Sequence, residues 1–337
     1  MTSTADGSPV RLGLNGFGRI GRNVLRAARG DPRVELVGIN DVVDAEDMAY
    51  LARYDSVAGR SAVELEDGHL VAGDTRARVS SEEDPSSLPW DELDVDVALE
   101  CTGVFRTRED ASGHVDAGAD TVVISAPPKG DEPVPQLVYG VNEDTYDGEA
   151  VVSNASCTTN SVAPVAKVLH ETFGIEAGLL TTVHSYTGSQ RLIDGPASKT
   201  RRGRAAAENI VPTSTGAAQA TTKVLPELEG RLDGKAVRVP TPNGSLTDLT
   251  VSLGEDVDAA TVNEAFRAAA EGPLEGVLGV TDDEVVSRDI LGEPYSTLVD
   301  LSSTMALPGG DLLKVLTWYD NEYGFANRML DVADYVA

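Results

Sequence analysis

A glycine-rich turn set between an apolar strand and a helix constrains this chain more than any other feature. Val10 to Leu14 reads as a strand and runs into Asn15-Gly16-Phe17-Gly18-Arg19-Ile20-Gly21. Helical spacing follows in Ile20, Val24, Leu25 and Ala28, until Gly30-Asp31-Pro32 stops it before a second strand, Val34 to Asn40. The result is a βαβ unit. In the pattern Gly16-x-Gly18-x-x-Gly21 the first glycine permits the turn, the second lets a pyrophosphate approach the backbone, and the third lets the helix pack on the sheet. Asp41 follows 20 residues after Gly21, at the end of the second strand, where a carboxylate accepts from ribose hydroxyls and repels a 2′-phosphate. The expectation is a dinucleotide site that favours NAD over NADP.

The rest of the first half repeats the parallel pattern, with apolar runs at Val95 to Glu100, Thr121 to Ser125 and Val151 to Ser153 separated by stretches long enough for crossovers. From Cys157 the pattern changes. A helix, a strand at Leu179 to His184 and a long polar stretch through Asn209 lead to alternating segments at Ala236 to Val239, Leu246 to Leu253, Ser296 to Asp300 and Leu312 to Trp318. Helices are expected near Gly216 to Leu225 and Ala259 to Ala270, and a last one in Asn321 to Tyr335 carries Phe325, Met329, Val332 and Val336 on one face. The fold class is therefore α/β: a doubly wound parallel-sheet domain followed by an α+β domain with a mostly antiparallel sheet.

Charge narrows the function. With 55 acidic against 27 basic residues the net charge is −28, which repels nucleic acid and anionic membrane. The acidic residues are scattered, as in a charged shell adapted to molar salt, where the Debye length is about 3 Å. Two cysteines, Cys101 and Cys157, give no disulfide framework and suit a reducing compartment. Residues 1 to 9 read as a frayed tail without the basic and apolar regions of a leader, and no run of about 18 apolar residues occurs, so a cytoplasmic location is expected.

Ser153-Asn154-Ala155-Ser156-Cys157-Thr158-Thr159-Asn160 puts Cys157 in the first turn of a helix, where unpaired N–H groups and the helix dipole favour a thiolate. Cys101 reads as a small buried hydrophobe. His184 ends an apolar strand at the mouth of a loop rich in hydroxyls and arginines, and a histidine beside a thiol serves as base and then as oxyanion donor. On spacing alone His184 reads as well as a core residue. His69, His114 and His170 read as solvated or capping residues.

At these residues the chain resembles the phosphorylating glyceraldehyde-3-phosphate dehydrogenases. Ala155-Ser156-Cys157-Thr158-Thr159-Asn160 is similar to their active-site signature, and further similar stretches run in order from Asn15 to Arg22 through Tyr54-Asp55-Ser56, Glu100-Cys101-Thr102-Gly103, Thr182 to Thr187, Pro212 to Ala217 and Arg238 to Pro242 to Trp318–Gly324. The resemblance implies Cys157 as nucleophile and His184 as base. It implies Thr187 and Arg238 on the substrate phosphate, and Ser156, Thr158, Thr215 and Gly216 on attacking inorganic phosphate, with Arg204 serving either. Arg19, Ile20 and Ser125 would lie by the pyrophosphate, with Gly16, Gly18 and Gly21 in the turn, Asp41 on the ribose and Asn321 on the nicotinamide carboxamide. Val42 and Pro196 resemble NAD-preferring members. The implied cofactor is NAD, with no metal, and the implied assembly a homotetramer. The domains would be residues 1–156 completed by 321–337, which bind the dinucleotide, and a catalytic domain over 157–320. Where the family has a cysteine and leucine, Ser161-Val162 reads as neutral helix packing. The same chemistry on erythrose 4-phosphate, an aspartate-semialdehyde dehydrogenase, and an idle NAD-binding interaction protein are the alternatives.

Overall fold

The structure, a computed structural model, describes residues 7–337, so most of the expected tail, residues 1–6, lies outside the described residues. Two compact units divide the chain, one running to Ser156 and including Phe325–Ala337, the other Cys157–Gly324.

The first unit opens with β1 (Val10–Asn15), α1 (Arg19–Ala28), β2 (Val34–Asn40) and α2 (Ala45–Arg53). A short hairpin follows, β3 (Tyr54–Asp55) and β4 (Gly59–Arg60), then β5 (Glu64–Glu66), β6 (His69–Ala72), β7 (Thr75–Ser80), β8 (Val97–Glu100), α3 (Arg108–Asp116), β9 (Thr121–Ile124) and β10 (Val151–Ser153). Eight strands form one sheet in the order β10-β9-β8-β1-β2-β7-β6-β5. From β10 to β7 every pairing is parallel, and chain order reverses beside β1, between β2 and β8. That reversal opens a crevice at the carboxyl ends of the strands, the ligand position of doubly wound sheets. β5 and β6 extend the sheet antiparallel, a feature the sequence reading passed over. Leu12, Leu14, Ile39, Leu99, Val122 and Ile124 are wholly buried between the layers, each contributing roughly 1.5–3 kcal/mol.

The second unit begins with α4 (Cys157–Phe173) and continues as β11 (Ile175–Ser185), β12 (Val211–Ser214), α5 (Ala217–Val224), β13 (Leu232–Val239), β14 (Ser245–Leu253), α6 (Ala259–Ala270), β15 (Leu278–Thr281), β16 (Thr297–Ala306) and β17 (Leu312–Tyr319). These strands make a seven-stranded, mostly antiparallel sheet, β12-β13-β11-β14-β17-β16-β15. β11 pairs in parallel with β13, which sets His184 opposite Arg238. Ser161 in α4 is fully buried with its hydroxyl against those of Thr297 and Thr317, 3.4 and 3.3 Å away, so it joins a polar cluster and is not the neutral packing expected. The chain ends in α7 (Tyr323–Val336), which buries Phe325, Met329, Leu330, Val332 and Val336. Asp331 on α7 pairs with Arg33 at 2.7 Å, closing the first unit across 298 positions of sequence.

Candidate active site

In the first unit the glycine turn is built as the spacing requires. Gly16 has φ +94°, and a β-carbon there would stand 2.5 Å from the Thr102 amide nitrogen; at Gly21 it would stand 2.1 Å from the Gly16 carbonyl oxygen. Gly18 differs. A β-carbon there meets nothing within 4 Å, so its bare α-carbon faces open space at the start of α1, with no side chain capping the helix. The first amides of α1, from Arg19 and Ile20, therefore lie at the positive end of the helix, a setting that suits an anion. The Asp41 carboxylate accepts from the Phe17 amide at 2.6 Å and the Val43 amide at 3.3 Å, which ties the end of β2 to the turn.

Gly16, Gly18 and Asp41 line a cavity of about 420 Å³ with Asn15, Asn40 and Thr102 among the other walls. Arg19, Ile20, Gly21 and Ser125 stand outside that lining. Arg19 turns its guanidinium to Asp55, whose carboxylate also has Arg22 and Arg26 within 4 Å. Burial would raise the Asp55 pKa, but amides of Ala58 and Val57 and the Arg19 side chain bring it down to about 2. Ser125 follows β9 and donates its amide to the Glu100 carbonyl at 2.9 Å. Cys101 corrects its reading as a core residue, since it is half-buried and lines the cavity.

The second unit holds the thiol. After β10, Ala155 takes φ +54°, an unusual value for a residue with a β-carbon, and the chain turns into α4 with Cys157 as its first residue. His184 Nε2 lies 3.6 Å from the Cys157 sulfur. His184 Nδ1 lies 2.7 Å from the Ser185 carbonyl and 3.0 Å from Arg238 Nη1; with its proton turned to that carbonyl, Nε2 is free to accept the thiol proton. The Tyr319 ring meets the imidazole edge-on at 5.9 Å, and its hydroxyl bridges Thr158 and Thr182 at 3.0 and 2.8 Å. Burial, and next the charge of Arg238, lower the His184 pKa from 6.5 to about 3. Burial also pushes the Cys157 thiol up, against the opposing pull of Arg238 and Thr158. Burial of Cys157 thus opposes the pull that the start of α4 exerts toward a thiolate.

Arg238 stands on the far side of the imidazole, donating from Nη1 to the Ser185 carbonyl at 2.8 Å and reaching Thr187 Oγ1 at 3.5 Å. Arg202, which sequence reasoning missed, is half-buried, donates to Thr213 at 3.1 Å, and with burial lowers the pKa of Arg238. Its neighbour Arg204 was expected to bind phosphate but points to Asp194 at 2.8 Å on the surface. Among the described residues neither Arg202 nor Arg238 pairs with a carboxylate, in a chain with 55 of them. Two half-buried guanidiniums thus lack carboxylate partners among the described residues, an arrangement that suits an anion.

Thr215 and Gly216 stand at the start of α5, where Thr215 accepts from the Ala217 amide at 3.1 Å; no hydrogen bond joins them to Cys157. Thr158 has turned its hydroxyl to Tyr319, and Ser156 is the last residue of the first unit. Asn321 accepts from the hydroxyls of Ser185 and Ser245 at 2.9 and 2.7 Å, so both contacts fall on its amide oxygen and its NH₂ is turned away from them.

His170 accepts from the Ile175 amide at 3.0 Å just beyond α4, whereas His114, read as solvated or capping, is wholly buried.

Residues 10–108 match the family described as glyceraldehyde 3-phosphate dehydrogenase, NAD binding domain, and residues 156–321 match its C-terminal domain. The chain belongs to the glyceraldehyde 3-phosphate dehydrogenase family. It is 67% identical to the glyceraldehyde-3-phosphate dehydrogenase of Haloarcula vallismortis over 97% of this chain and 98% of the relative. Identity is 51% to that of Geobacillus stearothermophilus, over 97% and 98%, and 49% to enzyme A of Escherichia coli K12, over 97% and 99%. Membership in the glyceraldehyde 3-phosphate dehydrogenase family gives the first unit NAD as its cofactor, and the bare Gly18, the α1 amides and Asp41 fit that group.

Proposed function

We propose that the chain oxidises D-glyceraldehyde 3-phosphate to 1,3-bisphosphoglycerate with NAD and inorganic phosphate. The observation that carries this reading is the pair of uncompensated arginines, Arg202 and Arg238, beside a thiol 3.6 Å from an imidazole base. His184 Nε2 takes the Cys157 proton as sulfur attacks the aldehyde carbon, and the resulting imidazolium donates to the oxygen of the hemithioacetal. NAD, when bound, supplies the acceptor for the hydride of that carbon. The acyl group left on Cys157 is a thioester; attack by phosphate breaks the C–S bond, forms the acyl phosphate and returns the thiolate. Arg238 and Thr187 hold the substrate phosphate, while Arg202, with Ser156, Thr158, Thr215 and Gly216, serves the attacking one. Asn321 offers its NH₂ to the nicotinamide carboxamide.

Absorbance at 340 nm after adding the aldehyde, with NAD or NADP and with or without phosphate, tests the reading. Phosphate-dependent NADH formation is expected; phosphate-independent formation would remove the second anion role. We further assign a homotetramer, supported by exposed apolar residues Leu179, Met305, Leu307 and Leu312 on the second unit, and a cytoplasmic site of action, supported by two free cysteines. No helix of the described residues is long and apolar enough to cross a membrane. The −28 charge supports adaptation to molar salt, and retention of fold and activity in ~10 mM salt would refute it.

A further inference from the structure

Behind the dinucleotide cavity lies a polar chain that the chemistry above does not use. Its centre is Glu100, the last residue of β8, fully buried and outside the cavity lining. No cation of the described residues pairs with it. Four neutral donors converge on it instead: Asn15 Nδ2 at 2.7 Å, the Thr102 amide at 2.7 Å, the Thr102 hydroxyl, and His114 Nε2 at 3.2 Å. The role of each His114 nitrogen is fixed by its neighbour. Trp90 Nε1, 3.0 Å from Nδ1, can only donate, so Nδ1 accepts and Nε2 carries the proton given to Glu100. Trp90 and His114 are both wholly buried, so His114 is neither solvated nor a cap.

From Glu100 the chain continues toward the cavity. Asn15 Oδ1 accepts from Asn40 Nδ2 at 2.8 Å; Asn40 in turn donates to the Glu82 carbonyl at 2.9 Å and accepts from the Glu82 amide at 2.8 Å. Asn15, Asn40, Glu82 and Thr102 all line the cavity, from the ends of β1, β2, β7 and β8. Four separate strand ends are thus registered to one buried carboxylate, and the Gly16 turn rests directly on Thr102.

We propose that Glu100, oriented by His114, is a positioning residue for NAD: it fixes Asn15 and Thr102 and through them the walls of the cavity. A carboxylate suits the place because it is acceptor-only, whereas an amide would turn one donor against Asn15, His114 or Thr102. The inference rests on the first unit binding NAD.

The test is Glu100→Gln in the full chain, with NAD affinity by calorimetry, kcat and both KM values, thermal melting, and the rate at which iodoacetamide labels Cys157 without NAD. The expected result is a roughly tenfold rise in Kd and KM for NAD. Values of kcat and the aldehyde KM should stay within about twofold, with labelling of Cys157 unchanged. A merely structural Glu100 would lower the melting temperature while folded protein bound NAD within twofold of wild type, and that overturns the proposal. Should E100Q fail to fold, His114→Phe keeps a flat ring and removes one donor; a rise of about threefold in the NAD Kd supports the proposal and an unchanged Kd overturns it. If wild type bound no NAD, the cofactor assignment would fall together with the proposal; if wild type bound and the variants bound equally, only the proposal would.

Discussion

The dinucleotide cavity and the thiol centre are built from opposite materials. The dinucleotide turn presents backbone: in the cavity wall Gly16, which tolerates no β-carbon, and Gly18, which faces open space, with Asn15 held by a hydrogen bond to a buried carboxylate. The thiol centre presents ionisable side chains whose charges are displaced, with a histidine held at about 3, a thiol pushed up, and two arginines lacking counter-ions. The first recognises a ligand by shape and keeps its own charges quiet. The second gathers displaced charges around the thiol, a composition suited to an anionic ligand.

If the two regions are this distinct, substitutions in one should leave the other's observables alone. Cys157→Ser should lower kcat by at least roughly a thousandfold with NAD affinity, measured by calorimetry, within twofold of wild type. His184→Asn should lower kcat by about 10²–10⁴, again without changing NAD binding. Arg238→Leu should raise the KM for the aldehyde by roughly a hundredfold. It should also raise the His184 pKa, read by NMR titration of the ring, since Arg238 is the second cause depressing it. In the other region, Asp41→Ala should raise the NAD KM about tenfold and narrow the preference over NADP, while iodoacetamide labelling of Cys157 keeps its rate. The smallest effect is one of stability. The folded His184 stays neutral down to about 3 and an ordinary histidine titrates near 6.5, so between these values the unfolded chain binds the extra proton. Wild type should therefore lose roughly 1.4 kcal/mol per pH unit below 6.5 relative to H184N in urea titrations, and nothing relative to it above that pH.

What the sequence discloses follows the same division. The turn from Gly16 to Gly21 and its Asp41 are local, so spacing alone locates them. Parallel strands buried on both faces announce themselves by composition, as at Thr121–Ile124 and Val151–Ser153. The elements that escaped include edge strands with little to bury, β5 with its two exposed glutamates, β12 with Pro212 and β15 with Gly279, together with α2, the β3–β4 hairpin and the interior strands β6 and β7. In the thiol centre, Arg238 meets His184 only because β11 and β13 pair in that register, and Tyr319 arrives from the end of β17. Arg202 and Arg204 look alike in sequence, and only the fold shows which one Asp194 neutralises. Nothing local marks His114, a lone polar residue on α3, as a member of a buried chain.

The return of α7 to the first unit has a consequence for biosynthesis. The unit begun first on the ribosome is finished last, since Phe325–Ala337 must emerge before Arg33 can meet Asp331. Until then the face that Phe325, Met329 and Leu330 will cover is exposed on the nascent chain, while Cys157–Gly324 is already synthesised in full. Chains that stop a dozen residues short therefore emerge with a complete thiol-bearing unit and an unfinished nucleotide-binding one, which leaves apolar surface open to chaperones and proteases.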